Sequence, residues 1–365
     1  MLSDKSKFSE VRLIIVGPSW YGRWVEYIYP EYKKLGVDTE VVYTNSPLGS
    51  SSGHKDSKTL GYIEKVKWIL RRGAPFIFNF LKRIKRSSAQ KNLLKRVGIA
   101  QKEGKEVVVM FVWTPPPVSL LEKLKKQNVK LVLWQGEHWK REEYWPKTMK
   151  YFEHIFCVDA RWAYKDEDIK KKLTILPLAS TPESFSPIEL SQEDKKKYSC
   201  DVVFIGLYKS QRADALSSLK DLDLRVYGHG WENAVKEFPW LGGKIFGPAS
   251  LEEAPKIFAG AKISVGSLGT TFTDPENYPN VTQRVFDVAL MEKFQLGQYN
   301  PQTEEIFGDA IPYFRSKEEL GKLAKYYLDN PDKRANLAKR AMDIALDNTW
   351  EDRVKESMKI LETLI

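Results

Sequence analysis

The sequence predicts an α/β fold built twice, as two parallel-sheet domains followed by a helical tail. Strand-like and helix-like runs alternate almost throughout, as in parallel sheets joined by crossover helices. The alternation breaks once, at a polar stretch with two prolines. The length agrees, because 365 residues exceed one comfortable core and two domains of roughly 150–180 residues are the natural division.

In the first half, RLIIVG (12–17), DTEVVY (38–43), EVVVMFVW (106–113), VKLVLWQG (129–136), HIFCVD (154–159) and LTILPL (173–178) read as strands. They are continuous apolar runs rich in β-branched residues, as expected of strands covered on both faces. Helical runs such as 24–35 and 118–127 fall between them. STPESFSPIELSQEDKKKYS carries Pro182 and Pro187 and reads as a linker. DVVFIG (201–206), LRVYG (224–228), KIFG (244–247), AKISVGS (261–267), KFQLGQYN (293–300) and AIPYF (310–314) then restart the pattern, and helices over 317–328, 331–346 and 350–364 end it. The expected organisation is two Rossmann-like domains facing across a cleft. The first spans 1–180 with a basic helical insertion at about 55–105, the linker is 181–199, and the second domain spans 200–347. A final helix, 348–365, packs back across the domain interface.

Composition excludes several classes. Hydrophobic content of 42% with 29% charged residues describes a globular chain. No apolar run approaches the ~20 residues that cross a bilayer, and the N-terminus reads as a first strand rather than a signal peptide. Cys157 and Cys200 lie in separate strand-like runs, and with four histidines they give no metal-ligand spacing. A reducing cytoplasm is the expected setting.

Ligands of open α/β sheets bind beyond the carboxyl ends of the strands, so the loops there hold the candidates. VGPSWYGRW places Gly17 and Gly22 at a strand–helix turn suited to an anion or sugar hydroxyl, although it is not the dinucleotide fingerprint. FIGLYKSQRADAL sets Lys209 and Arg212 after Gly206 at a helix start, a combination that fits a diphosphate; two solvated surface charges is the plainer reading. RVYGHGWEN brackets His229 with Gly228 and Gly230 at a strand tip, to meet a base edge or phosphate or simply to turn. In VGSLGTTFTDPENYPNVTQRVFD, Gly266 and Gly269 allow close backbone approach, and Asn280 is placed as N-cap. Arg284 and Asp287 then share one helix face at i,i+3, for a ligand or as a local ion pair. Glu137 and His138, in LWQGEHWKREEYW, are candidates for a general base. Trp134, Trp139, Tyr144 and Trp145 there suit sugar stacking or a core. The acid pairs Asp166/Asp168 and Asp221/Asp223 look like turn residues, so no Mg²⁺ or Mn²⁺ is expected.

The order ILPLASTPESFSP (175–187), DVVFIGLYKSQR (201–212), LRVYGHGW (224–231), APKIFAGAKISVGS (254–267), NVTQRVFDVAL (280–290), EEIFGD (304–309) and NTWEDRVKESM (348–358) resembles the spore maturation protein B-like glycosyltransferases. These are related to glycosyltransferase family 4 and share the GT-B fold. The resemblance covers roughly residues 150–365. It implies that Asp287 matches the glutamate that binds the donor's ribose hydroxyls, one carbon shorter here. Arg212 and Lys209 match basic residues near the donor diphosphate, and Asn280 and Arg284 match the loop and helix start beside the donor. A second glutamate, eight positions earlier in relatives, is Pro279 here, which leaves the donor sugar and the stereochemical outcome open. The implied activity is transfer of a sugar from a nucleoside diphosphate to a hydroxyl of a glycan, a lipid-linked or another acceptor, without a metal and with retention.

Between Lys55 and Lys105 there are 15 Lys and Arg against three acids, so this segment carries more than the whole chain's net charge of +10. Trp68, Phe76, Phe78 and Phe80 lie among the cations, as in an interfacial element drawn to anionic lipid. A solvated basic face and a nucleic-acid contact are the rival readings. The expected location is cytoplasmic, peripheral on the inner face of the cell membrane. A non-catalytic GT-B-like binding protein and a nucleic-acid-modifying glucosyltransferase remain as other classes.

Overall fold

The computed structural model describes residues 7–18, 24–44, 75–136, 145–158, 167–266, 268 and 281–365, side chains of 7, 75–87 and 145 aside. The chain divides into two compact units, residues 1–176 with 353–365 and residues 177–352.

Unit 1 holds β1 (Val11–Gly17), α1 (Trp24–Lys34), β2 (Asp38–Tyr43), α2 (Pro75–Lys102), β3 (Glu106–Trp113), α3 (Val118–Lys125), β4 (Lys130–Gln135), α4 (Trp145–Met149), β5 (His154–Cys157), α5 (Glu167–Lys170) and β6 (Leu173–Ile175). Its six strands pair in parallel in the order β2-β1-β3-β4-β5-β6. Ile14, Val109, Phe111, Leu131 and Ile155 form one face of its core. Leu93, Val97 and Ala100 of α2 and Leu120, Leu121 and Leu124 of α3 cover that face, at helical spacing. The last turns of the basic segment are therefore a packing helix: Lys91 and Lys95 are exposed while Leu93 and Val97 are buried. No described helix is long and apolar enough to cross a membrane.

Unit 2 holds α6 (Gln192–Tyr198), β7 (Cys200–Ile205), α7 (Ser210–Leu216), β8 (Leu224–Tyr227), α8 (Glu253–Gly260), β9 (Ala261–Val265), α9 (Gln283–Leu290), β10 (Gln295–Gln298), α10 (Pro301–Phe307), β11 (Tyr313–Phe314), α11 (Lys317–Leu328) and α12 (Pro331–Leu346). The parallel order is β11-β10-β9-β7-β8. After β8 the chain returns to the other side of β7, which makes the carboxyl ends of β7 and β9 the switch point where such sheets bind ligands.

Two local expectations are corrected. KIFG forms no full strand; it adds a single parallel bridge, Val226 to Ile245, because Gly243 and Gly247 turn the chain at positive φ on either side. The stretch read as a linker is built into unit 2. Ser191 caps α6 by accepting from the Asp194 amide, and Phe185 and Tyr198 are buried. The final helix, α13 (Trp350–Leu364), starts in unit 2 and runs into unit 1 from Arg353 on. Thr349 opens it with a reciprocal bond to Asp352.

Candidate functional site

The site is built on the carboxyl ends of the unit 2 strands. Gly206 follows β7; its amide donates to Tyr227 O, and its carbonyl accepts from Trp231 Nε1 at 2.8 Å. Gly228 follows β8 at φ 145°, and a Cβ there would lie 1.9 Å from Gly206 O. The two tips thus touch backbone to backbone, which only glycine allows. His229 is exposed, and its carbonyl accepts from the Tyr208 amide at 2.9 Å. Gly266 follows β9 and is buried, its amide bonded to Leu296 O.

Two guanidinium groups converge on this switch point. Arg212, from the first turn of α7, folds back so that Nε donates to Leu268 O at 2.9 Å and Nη1 to Leu207 O at 2.8 Å. Arg284, from the first turn of α9, donates through Nη1 to Ile205 O. Among the described residues neither pairs with a carboxylate within 4.0 Å. Burial lowers the pKa of both, and the charge of Arg284 lowers that of Arg212 further. Like charges held together by carbonyls, with no carboxylate paired to them among the described residues, suit an anion, since charge drawn away from water is otherwise costly. Lys209 is exposed at the N-cap position of α7.

Asp287 is 7% exposed, on the buried side of α9. Its Oδ1 accepts from Ser180 Oγ at 2.6 Å. Burial raises its pKa to about 7, against the opposing pull of Ser180, Arg284 and Gln283. The local Arg284–Asp287 ion pair does not form within 4.0 Å. The N-cap of α9 is Thr282 rather than Asn280, because the helix begins two residues later than the asparagine would set. Among the described residues Thr282 Oγ1 and Gln295 Oε1 are buried without hydrogen-bond partners, and both residues line a recess of about 20 Å³ with Gly266, Gly297 and Tyr299, room for about one water. Sequence reasoning missed Ser180, Thr282 and Gln295; only Gln295 left a signal, a polar residue inside the apolar run KFQLG.

In unit 1, Gly17 is buried at the end of β1, and its carbonyl accepts from the Thr44 amide. Trp134 belongs to the core, fully buried against Trp24 and Phe156, which removes it from sugar stacking. Glu137, His138, Trp139, Tyr144, Gly22, Gly269, Pro279 and Asn280 lie outside the described residues, as do Asp166 and the side chain of Trp145. Asp168 pairs with Lys171 and Asp223 with Arg225 at the surface. Among the described residues no three His, Cys, Asp or Glu side chains converge as metal ligands.

Residues 211–359 match the family model described as glycosyl transferase-like. No curated protein matches the chain by sequence. Among solved structures it is similar to a glycosyltransferase from Rickettsia africae, at 14% identity and TM-score 0.67 over 98% of this chain and 99% of that one. A sucrose-phosphate synthase from Thermosynechococcus elongatus follows at 10% identity and TM-score 0.64, over 97% and 99%. Anabaena HepE in complex with UDP and glucose gives 11% identity and TM-score 0.58, again over 97% and 99%. The two parallel-sheet units with a helical C-terminus therefore have the GT-B fold.

Proposed function

We propose that this chain is a glycosyltransferase that takes a sugar from a nucleoside-diphosphate donor bound to unit 2. The observation that carries the reading is the pair of half-buried guanidinium groups, Arg212 and Arg284, converging at the switch point of the unit 2 sheet with no carboxylate within 4.0 Å among the described residues. A diphosphate supplies the missing charge, and the glycosyl transferase-like match covers both arginines. Lys209 adds an exposed cation beside them, and Asp287 takes the ribose hydroxyls.

In the reaction the bond from the anomeric carbon to the diphosphate oxygen breaks, and its electron pair leaves with the diphosphate. The acceptor oxygen bonds to the anomeric carbon and loses its proton to a base, for which Glu137 and His138 are the candidates. Fixed guanidinium charges stabilise the leaving group without a metal, and retention is the stereochemical outcome the family resemblance implies. The acceptor is a glycan, lipid-linked or other hydroxyl, assigned to unit 1.

Calorimetric titration with UDP, GDP, ADP and TDP tests the donor reading. Wild type binds at least one, and Arg212→Ala weakens that binding about tenfold to a hundredfold, as loss of a charged hydrogen bond should. Equal affinity in the two proteins, both folded, would remove Arg212 from the site.

A further inference from the structure

Ser180 lies 107 positions before Asp287 in the sequence, yet its hydroxyl donates to Asp287 Oδ1 at 2.6 Å. The serine is fully buried, and its backbone is fixed independently of that bond. Its carbonyl accepts from the Trp350 amide at 3.0 Å, and it bridges Thr349 in parallel register. Thr349 in turn is locked to Asp352. A backbone held on one side and a carboxylate on the other leave the hydroxyl one direction.

The carboxylate needs such a donor. Neighbours on α9 are Val285, Phe286 and Val288, while α12 contributes Ala341 and Ala345 and α10 contributes Phe307 to the same cluster. From β10, Gln295 turns its amide to Val285 O. Among the described residues Arg284 is the charged group acting on Asp287, and Gln283 adds a hydrogen bond. In that apolar setting an aspartate, one carbon shorter than glutamate, sits deep and tends to hold its proton.

We propose that Ser180 is a positioning residue for nucleotide recognition, its hydroxyl holding the Asp287 carboxylate ionised and oriented for the ribose hydroxyls of a nucleoside diphosphate. The inference rests on the donor reading above. Ser180 touches no ligand itself; it acts through Asp287, and so it should reveal itself in the pH dependence of binding.

The test is calorimetric affinity from pH 6 to 9, using whichever of UDP, GDP, ADP and TDP wild type binds most tightly. Wild-type affinity rises to a plateau as Asp287 ionises. In Ser180→Ala the midpoint moves up by about one pH unit, the loss of a hydrogen bond to a charged group. At pH 7, where wild type is half ionised, the variant therefore binds about fivefold more weakly, and most of the loss returns at pH 9. Ser180→Thr, which keeps the hydroxyl, retains the wild-type midpoint. If Ser180→Ala does not fold, Ser180→Cys, a weaker donor, moves the midpoint part of the way. Wild type that binds, with serine variants whose midpoints do not move, overturns the role of Ser180 and leaves the donor reading standing. Wild type that binds none of the four nucleotides overturns the donor reading, and this inference with it.

Discussion

Asp287 sets opposite demands on stability and on binding. Its pKa is raised from the ordinary carboxylate value to about 7, chiefly by burial, so the folded chain binds a proton that the unfolded chain has released between about pH 4 and 7. The unfolded state carries fewer protons in that window, and stability therefore falls as pH rises through it and levels off above. Asp287→Asn keeps an acceptor for Ser180 and cannot ionise. Compared with wild type it should melt higher at pH 8, with the difference closing at pH 5, where wild type is protonated. Thermal melts at the two pH values check this, and an equal offset at both would show that the carboxyl titrates normally. The strand tip offers a second case at the same scale. Gly228→Ala meets Gly206 O as well as an unfavourable φ, whereas Gly104, at φ 77°, has open space around its missing Cβ. Alanine at 104 should cost about 1–2 kcal/mol, and alanine at 228 more than that, because rigid backbone must move. Urea midpoints for the two variants decide it.

At the level of elements, burial on both faces decided what could be read. β1, β3 and β4 are covered above and below, so each appears in the sequence as an unbroken apolar run. Helix α6 was hidden because its surface is charged and only Tyr198 is buried; its Ser191 cap was the available signal. Trp134 was ambiguous, since an aromatic at a strand end serves a sugar or a core equally well until its neighbours are known. The basic segment was open to several readings, because cations and bulky apolar residues alternate along it. In its last part, α2 faces the unit 1 sheet with Leu93, Val97 and Ala100 and turns Lys91 and Lys95 outward. Leu93→Ala should therefore cost about 2–5 kcal/mol, the usual range for a core leucine. Lys91→Glu with Lys95→Glu should stay within roughly 0.5 kcal/mol per site, as surface changes do. Denaturant titration of the three proteins separates a packing helix from a free basic one, which would tolerate the leucine change as easily as the lysine ones.

Over the whole molecule, the duplication of the α/β pattern was legible because it depends on local periodicity alone. The contacts that complete each unit were not, because they join residues far apart in the chain. Ser180 meets Asp287, and Tyr32 Oη meets Ser357 Oγ at 2.5 Å across 325 positions. The second contact makes unit 1 discontinuous: its last thirteen residues arrive after all of unit 2. From that piece Val354, Met358 and Leu361 are buried and Ser357 is fully enclosed, while the Tyr32 hydroxyl also donates to the Met110 sulfur. A chain ending at Asp352 keeps every strand of both sheets and lacks only the part of α13 that belongs to unit 1. Because the lost apolar area belongs to unit 1, its stability should fall while that of unit 2 changes little. Hydrogen exchange reads the two separately. Amides of β1 and β3 should lose protection in the shortened chain, while those of β7 and β9 keep theirs. Equal loss in both sheets would mean that the units fold as one cooperative body, and unchanged protection in β1 would mean that α13 contributes nothing to the core it enters.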